Sequence, residues 1–203
     1  AQIDPQDYQL RVQQAEAELT LIAQRLAKDG RHVVLIARTE SALNDVKHGI
    51  EANGGSASVM AADIADAKAF AAAIEKVAET QGRLDILVNN ASAISLTGTL
   101  ATPMKRFDLM FGVNVRGTYA CSQACLPHLV DAAKLGRNPH ILTLSPPLNL
   151  DPKWFAPHVA YTMAKYGMSM CVLGMAEEFR GVGVAVNALW PRTVIATAAI
   201  AMI

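Results

Sequence analysis

Short apolar segments that alternate with longer amphipathic stretches are the feature that most limits how this chain can fold. Segments with the composition of buried strands lie at residues 32–37, 57–62, 84–89, 140–144 and 182–189. Helical patterns lie between them, at about residues 41–52, 67–80, 103–133 and 158–179. Strands that are apolar throughout are typical of parallel sheets with helices on both faces. The pattern therefore predicts an α/β fold with a doubly wound, Rossmann-like parallel sheet.

Length and composition limit the classes of function that fit. The chain has 203 residues, of which 52% are hydrophobic and 18% charged, and this suits one globular domain with a substantial core. The formal net charge is zero and no basic cluster occurs, so nothing indicates a nucleic-acid or membrane partner. No apolar run approaches the ~20 residues of a membrane span, and no leader pattern is seen. We therefore expect a cytoplasmic protein with a single domain over residues 1–203.

The cysteines and histidines give no sign of a metal site. Cys121, Cys125 and Cys171 form no CxxC pair. Cys121 and Cys125 share one face of a predicted helix, where they are expected to be small core residues in a reducing compartment. The five histidines are scattered without the spacing of metal ligands, so no metal is predicted.

A tyrosine and a lysine four residues apart, Tyr161 and Lys165, form a candidate catalytic pair. Positions i and i+4 of a helix share a face, so the phenol and the ammonium would project together. The ammonium favours the phenolate and lowers a phenol pKa that starts near ~10. Such a phenol can donate a proton to a carbonyl or accept one from an alcohol. Ser145, which follows the strand at 140–144, could hold the substrate oxygen, and the set indicates carbonyl–alcohol redox chemistry.

Three further motifs accompany this pair in order along the chain. The strand at 84–89 ends in Asn89-Asn90, Asn114-Val-Arg-Gly117 lies in the next helical stretch, and Asn187-Ala-Leu-Trp-Pro191 ends the last strand. With these motifs in this order, the chain resembles the short-chain dehydrogenase/reductase family. The resemblance implies a Rossmann-like fold and a nicotinamide cofactor.

Residues 84–197 are most similar to one branch of that family, the hydroxysteroid dehydrogenase-like branch. Two segments carry the closer match, SPPLNL at residues 145–150 and the stretch 166–179. The same branch shares Ser92, where most of the family has glycine, and Pro191-Arg192 in place of the common Pro-Gly.

The resemblance implies a catalytic tetrad. Tyr161 would be the acid and base, and Lys165 would lower its pKa and bind the nicotinamide ribose, so that both residues also contact the cofactor. Ser145 would orient the substrate oxygen. Asn114 would support a water chain that relays the proton from Lys165 to solvent. The implied reaction is hydride transfer between the nicotinamide and a carbonyl or secondary alcohol.

The resemblance also implies cofactor contacts at Arg38, Asp63, Asn90 and Val194. Arg38 follows the strand at 32–37, where relatives contact the adenosine ribose. An arginine there suits a 2′-phosphate, so NADP is expected rather than NAD; a solvated surface arginine is the alternative. Asp63 matches an adenine contact and Asn90 lies near the cofactor ribose. Val194 would approach the nicotinamide carboxamide through its backbone.

The N-terminal residues depart from the family pattern. Relatives begin with a strand and a GxxxGxG turn whose amides bind the pyrophosphate, but the matching positions here are Gln13, Ala17 and Leu19. An apolar seam instead predicts one helix over residues 5–28, in preference to a strand, turn and helix. The chain also ends six residues after Thr197, where relatives continue. We therefore expect a domain incomplete at both ends, with an abnormal helical N-terminus and a truncated C-terminus.

Two functions from different classes remain open at this point. The first is an active NADP-dependent oxidoreductase, whose substrate would be an apolar alcohol or ketone because Trp154, Phe155 and Trp190 lie near the expected pocket. The second is a catalytically silent scaffold that keeps the tetrad but cannot hold the pyrophosphate. The intact tetrad favours the first function, and the missing glycines favour the second.

The helical stretch at 158–179 also bears on assembly. It carries apolar residues nearly all round, namely Met163, Met168, Met170, Val172, Leu173 and Met175. A helix of this kind is buried on both sides. In the family, this helix and the one matching 103–133 pack against their counterparts in a partner subunit, so a homodimer or homotetramer is expected. Tolerated surface methionines are the alternative.

Overall fold

Residues 20–190 are described by the computed structural model, and they fall into two compact units. One unit contains the described residues 20–63, and the other is Ile64–Trp190. Most of the helix predicted at 5–28, with the positions that replace the glycine motif, lies outside the described residues. So does Val194. The single domain over residues 1–203 stays a prediction.

The first unit alternates helices and strands. It contains α1 (residues 20–28), β1 (His32–Ala37), α2 (Glu40–Ala52) and β2 (Ser56–Ala61). The helical residues 20–28 agree with the end of the predicted N-terminal helix. Gly30 follows that helix with a φ of 79°, a left-handed conformation that glycine adopts without strain. β1 and β2 pair in parallel.

Small side chains allow close packing in the core of the first unit. That core consists of Ala23, Ala27, Leu35, Leu43, Ile50 and Ala57. The closest approach is at Gly55, where a Cβ would lie 2.8 Å from Ile50 Cγ2 and 2.9 Å from Ala27 Cβ. Only glycine therefore lets the chain pass between α2 and β2 against α1.

The second unit contains a three-stranded sheet and four α-helices. Its elements are α3 (Ala67–Gln81), β3 (Ile86–Asn89), α4 (Met104–Met110), α5 (Thr118–Lys134), β4 (His140–Leu144), α6 (Val159–Glu178) and β5 (Ala185–Leu189). The strands pair in parallel in the order β3-β4-β5. The prediction of an α/β fold built on parallel strands and intervening helices is confirmed. No helix within residues 20–190 is both long and apolar enough to cross a bilayer.

Helix α3 shows how closely local signals set its ends. Asp66, the predicted N-cap, accepts hydrogen bonds from the backbone N–H groups of Lys68 and Ala69 at 3.1 and 3.0 Å. At the other end Gly82 adopts a φ of 65°, and its N–H donates to the carbonyl of Ala78. The helix therefore lies within one residue of its predicted bounds.

Two strands begin later than predicted. β3 begins at Ile86 rather than residue 84, although the carbonyl of Asp85 already accepts a hydrogen bond from the N–H of His140 in β4 at 2.9 Å. β5 begins at Ala185 rather than residue 182, because a 3-10 turn and Gly183, with a φ of 80°, precede it.

The helix predicted at 103–133 is helical throughout but is not a uniform α-helix. Between α4 and α5, residues Phe111–Gly117 form a π-helix. Such segments bond i to i+5, are rare, and occur often at functional sites. Helix α6 approaches this segment so closely that a Cβ on Gly167 would lie 2.6 Å from Val115 Cγ2. The absence of a side chain at Gly167 is what permits this contact.

Candidate active site

The carboxyl ends of β3 and β4 bring two predicted site residues to one edge of the sheet. Asn89, the last residue of β3, lies opposite Thr143 in β4. The residue after β3 is Asn90, and the residue after β4 is Ser145. In open α/β sheets, ligands bind just outside the carboxyl ends of the strands. The position of this pair is therefore that of a ligand site.

Each of these two residues carries a buried oxygen whose hydrogen-bonding capacity is unused. Asn90 Oδ1 and Ser145 Oγ are buried and have no hydrogen-bond partner among the described residues. Ser145 as a whole is only 3% exposed. An unpaired buried polar group costs roughly 1–3 kcal/mol, so most such groups in proteins have a partner. A polar ligand at this edge would supply partners for both oxygens.

Asn114 is held by two hydrogen bonds to the backbone of a single residue. Its side chain is fully buried within the π-helix. Its Oδ1 accepts from the N–H of Ala93 at 2.7 Å, and its Nδ2 donates to the carbonyl of Ala93 at 2.9 Å. Because Ala93 follows β3 closely in the chain, Asn114 fixes the segment that leads away from Asn90.

Lys165 connects helix α6 to the end of β4. Tyr161 and Lys165 lie one turn apart in the first half of α6, as their spacing predicts. Lys165 Nζ donates to the carbonyl of Leu144 at 2.8 Å. Leu144 ends β4 and precedes Ser145, so the ammonium lies beside the backbone that carries the Ser145 hydroxyl.

Tyr161 lies in an apolar setting next to a histidine. It packs against a buried cluster of Met110, Ala160 and Ala164. Its ring centroid is 5.8 Å from that of His158, at an interplanar angle of 47°. Burial lowers the pKa of His158 from its ordinary value of 6.5, so its imidazole is neutral at pH 7. His158 therefore adds little positive charge beside the phenol at that pH.

A buried polar cluster fixes the two strand ends against α5. Asn89 Nδ2 donates to Ser122 Oγ at 3.1 Å and to Thr143 Oγ1 at 3.4 Å. None of the three residues is more than 7% exposed. Satisfied polar clusters in a core favour one arrangement over its alternatives. These bonds hold β3 and β4 in register at the strand ends that directly precede Asn90 and Ser145.

Three further side chains of α6, which the sequence did not single out, anchor the segment between β4 and α6. Each donates one hydrogen bond to a backbone carbonyl between β4 and α6: Thr162 to Trp154 (2.8 Å), Tyr166 to Asn149 (2.8 Å) and Ser169 to Pro146 (2.6 Å). Together with Lys165 they occupy positions i, i+3, i+4 and i+7 and share one helix face. The sequence signal that could have identified these residues is the recurrence of polar residues at helical spacing within an otherwise apolar helix.

The remaining cofactor candidates lie in the first unit. Arg38 directly follows β1 and is exposed. Asp63 follows β2 by two residues and is also exposed. The two strands remain joined just past their ends, because the N–H of Ala62 donates to the carbonyl of Ala37 at 3.0 Å. Both candidates are therefore at the carboxyl end of their strand, as the sequence predicts.

The cysteines behave as core residues. Cys121 is 4% exposed and Cys125 is fully buried, which confirms the prediction for this pair. Burial raises the pKa of the Cys121 thiol to about 12 and also raises the pKa of Cys125. Because the thiolate is the reactive form, both side chains act as small apolar groups. Within residues 20–190, no three His, Cys, Asp or Glu side chains are grouped as metal ligands.

The groups at the sheet edge fit a nicotinamide dinucleotide and a carbonyl substrate. Asn90 Oδ1 is a buried acceptor suited to a ribose hydroxyl or an amide N–H. Ser145 Oγ can donate to a substrate oxygen. The ammonium of Lys165 has three donors and lies beside both the strand end and the start of the next segment. These hydrogen-bond donors and acceptors therefore fit a nicotinamide dinucleotide together with a carbonyl substrate.

Comparison with known proteins agrees with this geometry. The family profile for short chain dehydrogenases matches residues 20–201. The chain belongs to the short-chain dehydrogenase family. This confirms the family inferred from the order of the motifs.

Relatives also confirm the branch within this family. The chain is 56% identical over 189 residues to hydroxysteroid dehydrogenase-like protein 2 of Danio rerio and 53% identical to that of Homo sapiens. Each match covers 90% of this chain and 44% of the relative. The chain therefore spans less than half the length of these two relatives.

Solved structures of the family share the fold. A short chain dehydrogenase from Mycobacterium thermoresistibile is 51% identical with a TM-score of 0.82, over 89% of this chain and 65% of that one. A metagenomic short-chain oxidoreductase in complex with NADP is 32% identical with a TM-score of 0.78, over 86% of this chain and 76% of that one. The Rossmann-like fold of the family is therefore shown for this chain.

Proposed function

We propose that this protein is an NADP-dependent oxidoreductase that interconverts a carbonyl and a secondary alcohol on an apolar small molecule. One observation carries the proposal: the buried Ser145 hydroxyl, without a partner among the described residues, follows the carbonyl that binds Lys165. Tyr161 precedes Lys165 by one turn of the same helix. A hydroxyl, a phenol and an ammonium can together bind a carbonyl oxygen and transfer a proton to it.

Each residue of the tetrad has a distinct part in the proposed reaction. When bound, the nicotinamide donates or accepts the hydride. Tyr161 donates a proton to the substrate oxygen during reduction and takes it back during oxidation. Ser145 binds the same oxygen, and Lys165 stabilises the phenolate form of the tyrosine. Asn114 holds the segment at Ala93 and supports the path by which protons reach Lys165 from solvent.

Arg38 supports NADP rather than NAD. A guanidinium forms charge-assisted hydrogen bonds with a phosphate, whereas the 2′-hydroxyl of NAD is usually bound by a carboxylate. Arg38 is the residue directly after β1, where we infer the contact to the adenosine ribose. Asp63 would contact the adenine, Asn90 would lie near the cofactor ribose, and Val194 would contact the carboxamide.

An apolar substrate is supported by the segment between β4 and α6. Its exposed side chains include Leu148 (40%), Leu150 (78%) and Trp154 (51%). Apolar area exposed in the segment that follows Ser145 favours a hydrophobic alcohol or ketone, because binding of such a substrate to these side chains removes that area from water.

Cofactor binding by the full-length protein tests the proposal most directly. Isothermal titration with NADPH and with NADH should show binding of both, with NADPH tighter by roughly tenfold because of the phosphate contact. Turnover is measured as the oxidation of NADPH in the presence of acetophenone, an apolar ketone used as the probe substrate. A protein that binds neither nucleotide would contradict the proposal and favour the alternative of a catalytically silent scaffold.

We also infer that the protein assembles through α6 and α5 into a homodimer or homotetramer. Helix α6 exposes Met163 (43%), Met170 (56%) and Leu173 (66%), while its other apolar side chains face the core. Three apolar side chains on one exposed helix face suit contact with a second copy. Tyr119, 52% exposed, provides a further apolar contact on α5.

Sedimentation of the full-length protein at micromolar concentration tests this assembly. We expect a mass of two or four chains for the native sequence and of one chain for Leu173→Glu, because a charge would be buried in the interface. Leu21→Glu is the matched control, since Leu21 is 69% exposed and lies in α1, outside both α5 and α6. A native protein with the mass of one chain would contradict the proposed assembly.

A further inference from the structure

The backbone on both sides of Ser145 is fixed from one face of helix α6. Lys165 Nζ donates to the carbonyl of Leu144 at 2.8 Å, and Ser169 Oγ donates to the carbonyl of Pro146 at 2.6 Å. Lys165 and Ser169 are four residues apart, so their side chains share a face. The residue that carries the proposed substrate-binding hydroxyl is therefore held between two hydrogen bonds.

The sequence after Ser145 makes this second bond important. β4 ends at Leu144, so Ser145 has left the strand. Pro146 and Pro147 have no backbone N–H to donate. The two prolines can therefore form backbone hydrogen bonds only through their carbonyl groups, and Ser169 donates to the carbonyl of Pro146. Ser169 itself is 6% exposed, so water does not readily replace the bond.

We propose that Ser169 is a positioning residue that acts on the reaction through Ser145. Its hydroxyl holds the Pro146 carbonyl and so fixes the direction in which the Ser145 side chain leaves the backbone. The inference rests on the proposed function, because the position of Ser145 affects turnover only if Ser145 binds the substrate oxygen. A misplacement of about 1 Å in a catalytic group can cost on the order of 10²-fold in rate.

Tyr166 supplies a matched control on the same helix. Its hydroxyl donates to the carbonyl of Asn149 at 2.8 Å, and the residue is 6% exposed, as Ser169 is. Its ring packs edge-on against Phe155, with centroids 5.1 Å apart. Tyr166→Phe keeps that ring and removes one buried bond to the same segment, four residues beyond Ser145. This variant therefore distinguishes the effect of losing any one hydrogen bond to the segment from the effect of losing the bond next to Ser145.

The experiment compares four variants of the full-length protein: Ser169→Ala, Tyr166→Phe, Ser145→Ala and the double variant of Ser145 and Ser169. The kcat is measured with NADPH and acetophenone, and the Kd for NADPH by calorimetry. Ser169→Ala should lower kcat roughly tenfold, and Tyr166→Phe less than about twofold, with the Kd for NADPH changed less than about twofold in both. In the Ser145→Ala background, Ser169→Ala should change kcat less than about twofold, because the group that it positions is gone.

Several results would overturn the inference. A tenfold loss that persists in full without the Ser145 hydroxyl would show that Ser169 does not act through it. Equal losses for Ser169→Ala and Tyr166→Phe would mean that both bonds only stabilise the segment. Crystal structures give a second measurement: Ser145 Oγ should move by roughly 0.5 Å in Ser169→Ala and stay in place in Tyr166→Phe. An unmoved Oγ in Ser169→Ala overturns the inference. Wild-type protein that neither binds NADPH nor reduces acetophenone would instead overturn the proposed function.

Discussion

The carboxyl ends of β3 and β4 differ from those of β1 and β2 in how their polar residues are held. Ser145, after β4, is buried, and the backbone on each side of it is hydrogen-bonded to α6. Arg38 and Asp63, after β1 and β2, are exposed side chains. The first region has its geometry in place before any ligand arrives, whereas the second offers charged groups that are in contact with solvent.

This difference carries an energetic lesson about the two regions. Polar groups fixed in a buried site act at full strength because they need not reorganise. Exposed charges act through solvent and contribute about 1 kcal/mol or less in a single pair. Substitutions at the ends of β3 and β4 should therefore affect turnover and folding strongly, and substitutions at the ends of β1 and β2 should affect nucleotide preference modestly.

The largest expected effect is that of Tyr161→Phe. Removal of the phenol hydroxyl should lower kcat with acetophenone by roughly 10³-fold, the usual size of a lost acid–base group. The Kd for NADPH, measured by calorimetry, should change less than about threefold. Tyr119→Phe is the control, because Tyr119 is exposed on α5 and should keep the wild-type kcat. A Tyr161→Phe variant with a tenth or more of the wild-type rate would show that another group transfers the proton.

Asn114→Ala should have the next largest effect, on stability. It removes two hydrogen bonds to Ala93 from a fully buried site and leaves both backbone groups unpaired. The free energy of unfolding, from urea titration, should fall by about 2–4 kcal/mol. Asn138→Ala, at an exposed position, should change it by less than about 0.5 kcal/mol. Equal effects from both substitutions would remove the distinction between a fixed and a solvent-exposed region.

A smaller effect is expected from Arg38→Ser. Loss of the guanidinium should raise the Kd for NADPH roughly tenfold and leave the Kd for NADH within about twofold, because only the former has a 2′-phosphate. The control is Arg31→Ser, since Arg31 is exposed at the opposite end of β1. Calorimetry that shows the same loss for both nucleotides would assign Arg38 to general attraction rather than to phosphate recognition.

The strands and the order of the site residues could be predicted from the sequence because both depend on local pattern. Apolar composition gave β1 and β4 their observed bounds. The i to i+4 spacing of Tyr161 and Lys165 required only that the segment be helical. These features do not depend on where distant parts of the chain lie.

The rest of the site could not be predicted, because it depends on the path of irregular segments. The π-helix around Asn114 has no sequence pattern of its own, because its residues keep a helical pattern. The bonds that the Asn114 side chain makes are to Ala93, in a loop distant along the chain. The bond from Ser169 to Pro146 likewise requires the path of the segment after β4. The later start of β5 has the same cause, since a 3-10 turn and Gly183 precede the strand.

The contact between Gly167 and Val115 limits how this part of the protein can evolve. A methyl group at residue 167 would meet the valine at 2.6 Å, so the first cannot be gained before the second is reduced. If residue 167 gains a side chain first, the intermediate protein is strained. If Val115 is replaced by a smaller residue first, the intermediate protein has a small cavity. Because the cavity is the milder defect at a site of this size, change should begin at Val115. Whether a side chain can be accepted at residue 167 thus depends on which residue is present at position 115, in a different helix.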